Sequence, residues 1–189
     1  MNVYDFDNTI YHGESGVDLF KYFLKRDPSL VKKLPWAIRL ITDYKLTTMT
    51  MDDVINKYAG VLEEYGREKI GDLDELAVDF WDKHSYKVKP MYFQLRQDDD
   101  VIISACLDFI LKEICERLNI KNYIGSEVDA ETKTLISFCY KDNKVKAFRK
   151  HYPGQEIDNL YTDSFNDQPL MDIAKNVYLV KGSKIKKIK

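Results

Sequence analysis

Apolar positions along this chain follow two different periods, and the change between them divides it into three stretches. Met1 to Tyr4 reads as a short strand, a candidate for a central position, that runs straight into Asp5-Phe6-Asp7-Asn8-Thr9. From about Val17 to Ser85 the spacing is helical. Leu19, Phe20, Phe23 and Leu24 share one face, Val54, Ile55, Tyr58, Val61 and Leu62 another, and Ile70, Leu73, Leu76, Ala77, Phe80 and Trp81 a third. Thr50 followed by Asp53 resembles a capping box, and Pro28 and Pro35 bound or kink the helix between them. This stretch predicts a helical insertion of four helices and no strand.

After Pro90 short apolar runs alternate with helical segments. Met91 to Gln97 predicts a helix. Val101-Ile102-Ile103, wholly apolar, predicts a strand buried on both faces, ended by Ser104. A helix is expected from Leu107 to Leu118. Strands at Asn122 to Val128 and Thr134 to Phe138 form a plausible hairpin. Lys144 to Lys150 predicts a helix, Leu160 to Thr162 a strand, Gln168 to Lys175 a helix and Val177 to Val180 a last strand. The lysine-rich tail from Lys181 is expected to be solvated and mobile. Alternation on both sides of the insertion predicts an α/β fold, with an open, mostly parallel sheet between helical layers. Ligands bind beyond the carboxyl ends of such strands, where Asp5, Ser104 and Asp163 are expected to meet.

Composition narrows the function classes. The chain has 189 residues, 44% of them hydrophobic and 32% charged, with a formal net charge of -2. That suits one core domain with a subdomain inserted, and gives no field that would favour nucleic acid. No apolar run is long enough to span a bilayer, and no signal peptide is evident. Cys106, Cys115 and Cys139, an odd number without CxxC spacing, read as free thiols in a reducing, cytoplasmic setting. The three histidines are dispersed and form no zinc pattern.

The candidate chemistry lies at the strand ends. Asp5 and Asp7 stand two apart where a strand ends, so both carboxylates can reach one substrate, and a divalent cation lets them share the site. Ser104, with the N–H groups of Ala105 and Cys106, suggests an anion site at a helix N-terminus. Lys144 near a helix start suits an anion or carboxylate partner, with Lys146 a competing candidate. Asp163 and Asp167, four apart after a short strand, are candidate oxygen ligands for magnesium.

The order strand-DxDxT, strand-Ser, Lys, strand-D-x3-D resembles the haloacid dehalogenase-like (HAD) phosphohydrolase superfamily over the whole chain. Asp5 to Thr9 is similar to its first motif, Ser104 to the second, Lys144 to the third, and Asp163 with Asp167 to the fourth. Ile103-Ser104-Ala105, Cys139 before Lys144, and Asp163-Ser164-Phe165-Asn166-Asp167-Gln168-Pro169-Leu170 resemble its phosphoserine-phosphatase-like branch. Asn8 and Lys141 depart from residues frequent in that branch.

The resemblance implies a three-layer α/β/α Rossmann-like core over residues 1–13 and 87–189, with a helical C1 cap over 14–86. It implies Mg²⁺-dependent hydrolysis of a small phosphomonoester, with Asp5 as nucleophile and Asp7 as general acid and base. Asp5, Asp7 (through its carbonyl), Asp163 and Asp167 would hold the metal. Thr9, Ser104, Ala105 and Lys144 would bind phosphate, and Glu14 would contribute to substrate choice. The competing readings are a phosphoacceptor signalling domain and a non-catalytic binding protein on a related fold. Against the first stand DxDxT and the insertion; against the second, intact DxDxT and D-x3-D.

Overall fold

The computed structural model describes residues 1–33 and 70–189. Within them seven strands form one sheet in the order β4-β3-β2-β1-β5-β6-β7. The strands are β1 (Asn2–Tyr4), β2 (Val101–Leu107), β3 (Asn122–Val128), β4 (Leu135–Ser137), β5 (Ile157–Thr162), β6 (Ala174–Lys181) and β7 (Lys184–Lys187). The five central strands are parallel, and β4 and β7 close the two edges antiparallel. The first strand of the chain thus lies at the centre, between β2 and β5. Its residues Val3 and Tyr4 are both fully buried but point to opposite faces.

Helices cover both faces, as the runs of Val, Ile and Leu in the central strands require. Val3, Val101, Ile103, Leu160 and Val177 pack with Phe148 of α5 (Asp142–His151) and with Leu170 and Met171 of α6 (Gln168–Ile173). On the other face Tyr4 and Ile102 join Ile110, Leu111 and Ile114 of α4 (Asp108–Arg117). The inserted segment adds α1 (Ser15–Arg26) and α2 (Leu73–His84) to that side; α3 (Pro90–Leu95) follows it. Asp72 caps α2 by accepting from Glu75 N at 2.9 Å. Trp81 of α2 is fully buried and donates from Nε1 to Ile110 O at 2.7 Å, which locks the insertion to α4.

Several expectations are corrected. Strand β2 does not end at Ser104 but continues to Leu107. The ladder with β3 shifts register between Ile103 and Leu107, so Ser104, Ala105 and Cys106 bulge from it. Gly125 makes room for that bulge: a Cβ there would lie 2.8 Å from Asp108 Cα and 2.9 Å from Cys106 O. The tail is not wholly loose, because Lys184–Lys187 form the edge strand β7. Its four exposed side chains, three of them lysines, hid it from a reading based on apolar runs. The buried face of α1 carries Ser15, Asp18, Leu19 and Tyr22; of the expected Leu19, Phe20, Phe23 and Leu24, Leu19 is buried and Phe23 packs partly buried against the core. The capping box at Thr50 and the pattern from Val54 to Leu62 lie outside the described residues. Among the described residues no helix is long and apolar enough to cross a membrane.

Candidate active site

The carboxyl ends of the parallel strands carry a group of charges, of which Lys144 and Asp167 are buried and Asp5, Asp7 and Asp163 half-buried. Asp5 follows β1 directly, and its N–H donates to Tyr161 O of β5 at 2.9 Å. Beyond it the chain reverses tightly. The N–H groups of Thr9, Ile10 and Tyr11 all donate to Phe6 O, and Asn8 takes a left-handed φ of 57°. Asp163 follows β5, and Asp167 closes a short 3₁₀ turn (Phe165–Asp167). Thr162 Oγ1 donates to Asp167 Oδ2 at 2.9 Å, which fixes that carboxylate against the strand end.

Lys144 joins these elements. It sits in the first turn of α5, is 3% exposed, and reaches Asp5 Oδ1 at 2.8 Å and Asp167 Oδ1 at 2.7 Å. The opposite ends of the chain therefore meet on one ammonium. Burial alone would pull its pKa down, but Asp5 and Asp167 hold it above the ordinary lysine value. Lys146 instead donates to Asn143 on the exposed surface.

At the acids the balance is the other way, and burial outweighs the stabilising partners. Burial pushes Asp5 up; Lys144 pulls it down and Asp167 adds to the rise. Burial pushes Asp7 up to about 7, against two stabilising hydrogen bonds from Ser15. Burial also raises Asp163. Among the described residues Lys144 makes the ion pairs to these carboxylates, with Asp5 and Asp167, while Lys181 Nζ donates to the Asp163 carbonyl and lowers the pKa of its carboxyl from a distance. This excess of buried carboxylate favours a bound hard cation, for which oxygen donors are the suitable ligands. The residues thus fit a magnesium ion in kind. Among the described residues, however, no three acid, histidine or cysteine side chains stand grouped as a ready metal cage.

The other expected residues are placed unevenly. Ser104 is buried in the β2 bulge, and its Oγ accepts from Cys106 N at 3.1 Å. The expected helix N-terminal anion site at Ser104, Ala105 and Cys106 is therefore not formed: these residues precede α4 in a strand, and the Cys106 N–H is already used. Ala105 O accepts from Ser126 Oγ at 2.8 Å. Thr9 is fully buried and its Oγ1 has no hydrogen-bond partner. Glu14 is exposed just before α1 and accepts from Asn8 Nδ2 at 2.5 Å. Its charge raises the pKa of Asp7, so it stands near the acid pair.

Two residues that the motifs do not signal belong to this site. Ser15 donates to both oxygens of Asp7, from N at 2.8 Å and from Oγ at 3.0 Å. Lys89 is buried at the return from the insertion and donates from Nζ to Asn8 O; burial pulls its pKa below the ordinary lysine value, and Asp163 only partly opposes that. Proline at 90 marks that return, but nothing in the local sequence aims the lysine inward.

A family model described as haloacid dehalogenase-like hydrolase matches residues 3–172, which include Asp5, Ser104, Lys144, Asp163 and Asp167. The chain belongs to this family. It is a HAD hydrolase with phosphatases among its relatives. A histidinol-phosphatase of Neisseria meningitidis serogroup C (strain 8013) is 22% identical over 194 residues, covering 92% of this chain and 86% of that protein. Among solved structures, a protein of unknown function from Bordetella pertussis Tohama I superposes with a TM-score of 0.71 at 14% identity, over 94% of this chain and 87% of the other. A phosphoserine phosphatase solved with a phospho-aspartyl intermediate analogue gives a TM-score of 0.55 at 14% identity, over 93% and 83%. These structural likenesses establish the shared fold.

Proposed function

We propose that this HAD hydrolase is a Mg²⁺-dependent phosphatase that hydrolyses a small phosphorylated metabolite through an aspartyl-phosphate on Asp5. The observation that carries this reading is Lys144, buried and bonded to both Asp5 and Asp167, with Asp7 two residues from the nucleophile. The phosphatase names of the relatives support it.

In this reading Asp5 Oδ attacks phosphorus in line with the ester oxygen. The new O–P bond forms as the ester bond breaks, and Asp7 delivers its proton to the leaving alkoxide. Asp7 then takes a proton from the water that attacks the aspartyl-phosphate, which frees inorganic phosphate and regenerates Asp5. A proton donor at pH 7 needs a pKa near neutrality, and burial supplies it at Asp7. Lys144 screens charge on the phosphoryl oxygens and keeps Asp5 oriented. Asp5, the Asp7 carbonyl, Asp163 and Asp167 would hold the magnesium ion, which supplies Lewis-acid charge to the phosphoryl group.

Residues 1–13 and 87–189 act as the catalytic core, and 14–86 as a cap that selects the substrate. Glu14, at the entry to that cap, suits a cationic group on the substrate. Ser104 orders the β2 bulge from within, the partnerless Thr9 hydroxyl is left to bind phosphate, and Ala105 is exposed enough to meet it. Three buried, free cysteines accord with a reducing, cytoplasmic setting.

Incubation with p-nitrophenyl phosphate tests the reading. Hydrolysis with Mg²⁺ that EDTA abolishes is expected. Metal-independent release, or none from a panel of small phosphomonoesters, would overturn it.

A further inference from the structure

The Asp7 carboxyl is gripped from outside its own loop. Ser15 is the first residue of α1, is 1% exposed, and bonds both Asp7 oxygens. Glu14, at the N-cap position of this helix, makes no side-chain capping bond. Asp7 therefore receives an N–H that the helix start would otherwise leave without a partner. Each Asp7 oxygen keeps lone-pair capacity for a ligand after accepting one bond.

One turn further on, the same face of α1 is fixed again. Asp18 Oδ2 accepts from Tyr11 Oη at 2.7 Å and from Lys87 Nζ at 2.6 Å. Tyr11 belongs to the loop that carries Asp7, and Lys87 to the returning chain. These two segments are tied by His12 N to Lys87 O at 2.9 Å and by Lys89 N to Ile10 O at 2.7 Å. Residues three apart lie on one helix face. A rotation of α1 that lifts Asp18 off Tyr11 thus also lifts Ser15 off Asp7.

We propose that Ser15 is a positioning residue for proton delivery, and that the Ser15–Asp7 and Asp18–Tyr11 contacts make cap position and the orientation of the general acid one mechanical unit. The inference rests on the reading of Asp7 as proton donor. It predicts a loss that depends on how much the leaving group needs a proton.

The test compares kcat/KM at saturating Mg²⁺ for an alkyl phosphate, whose alkoxide needs a proton, and for dinitrophenyl phosphate, whose leaving group does not. Ser15→Ala is expected to lose about tenfold or more on the alkyl ester and less than about twofold on the activated one. Ser15→Thr, which keeps the hydroxyl, is expected to restore the alkyl activity. Tyr11→Phe keeps the ring against Phe6 and Trp81 and removes only the contact to Asp18. It is expected to show the same selective pattern at about threefold. Asp7→Asn serves as the reference and should show the largest selectivity. If Asp7→Asn is selective while Ser15→Ala loses both activities equally, or neither, the inference is overturned and the proton-donor reading stands. If Asp7→Asn is itself unselective, the proton-donor reading fails and takes the inference with it.

Discussion

The sheet buries polar groups at both of its ends, and the two clusters are built on opposite plans. At the amino end Asn2, Asn159 and Asn176 stand in register on adjacent strands. Asn176 Nδ2 donates to Asn159 Oδ1 at 3.2 Å, Asn159 Nδ2 to Asn2 Oδ1 at 2.8 Å, and Asn2 Nδ2 to Asp100 Oδ1 at 3.1 Å. Gln97 N meets the other oxygen of Asp100 at 2.9 Å. That network closes on itself with one carboxylate and a row of neutral amides. At the carboxyl end, among the described residues, one lysine is ion-paired with two of four carboxylates, and Thr9 Oγ1 is buried without a partner. Closed networks hold a fold in one arrangement; an open one of this kind stores electrostatic energy that a ligand can relieve. Burial near a strand end therefore says little by itself, and the balance of partners marks the reactive end.

The sharpest way to break the comparison is Asp5→Asn. It should lower turnover by at least about 10³-fold while leaving the fold intact, since the amide keeps an acceptor for Lys144. Circular dichroism with a steady-state assay checks this. Lys144→Met should do both kinds of damage. It removes the one paired cation from Asp5 and Asp167, and should cost about 3–5 kcal/mol in denaturant unfolding as well as activity.

The open end should also be the more pH-sensitive one, since it holds more carboxyls raised by burial. Burial raises the Asp7 carboxyl from 3.8 to about 7. The folded chain then holds a proton that the unfolded chain releases, so this group's contribution falls as pH climbs from about 4 to 7 and levels off above. Asp7→Asn removes the effect. In metal-free buffer the variant should gain stability relative to the parent across that window, by about 1–4 kcal/mol. A flat difference between the two unfolding curves would contradict this. At the closed end Asn159→Ala should cost about 1–3 kcal/mol by leaving Asn2 Oδ1 without its donor, while Asn176 Nδ2 keeps only its bond to Asp158 O. Activity on p-nitrophenyl phosphate should be unchanged, which separates the two ends functionally.

The sequence made one of these ends far more legible than the other. Asp5, Lys144, Asp163 and Asp167 were readable because each follows a short apolar run or opens a helix, and a parallel sheet must gather such ends. The asparagine row was not readable, because pairing Asn2 with Asn159 and Asn176 depends on strand register, which no local pattern states. Ser104 was found but misplaced: a bulge lets β2 continue past it, and Gly125 on the neighbouring strand is what tolerates that bulge. Ser15 was missed because its partner lies across a chain reversal, and a serine at a helix start has an ordinary local explanation. The edge strand β7 was missed because its exposed lysines mask the apolar signal.

The central claim is that the open end transfers a phosphoryl group onto Asp5. Acid-quenching the protein during turnover of a phosphomonoester in Mg²⁺, followed by peptide mass spectrometry, tests it directly. The account predicts one added phosphoryl group on the peptide containing Asp5, absent from Asp5→Asn. A phosphoryl group found on another residue, or undiminished turnover by Asp5→Asn, would contradict it.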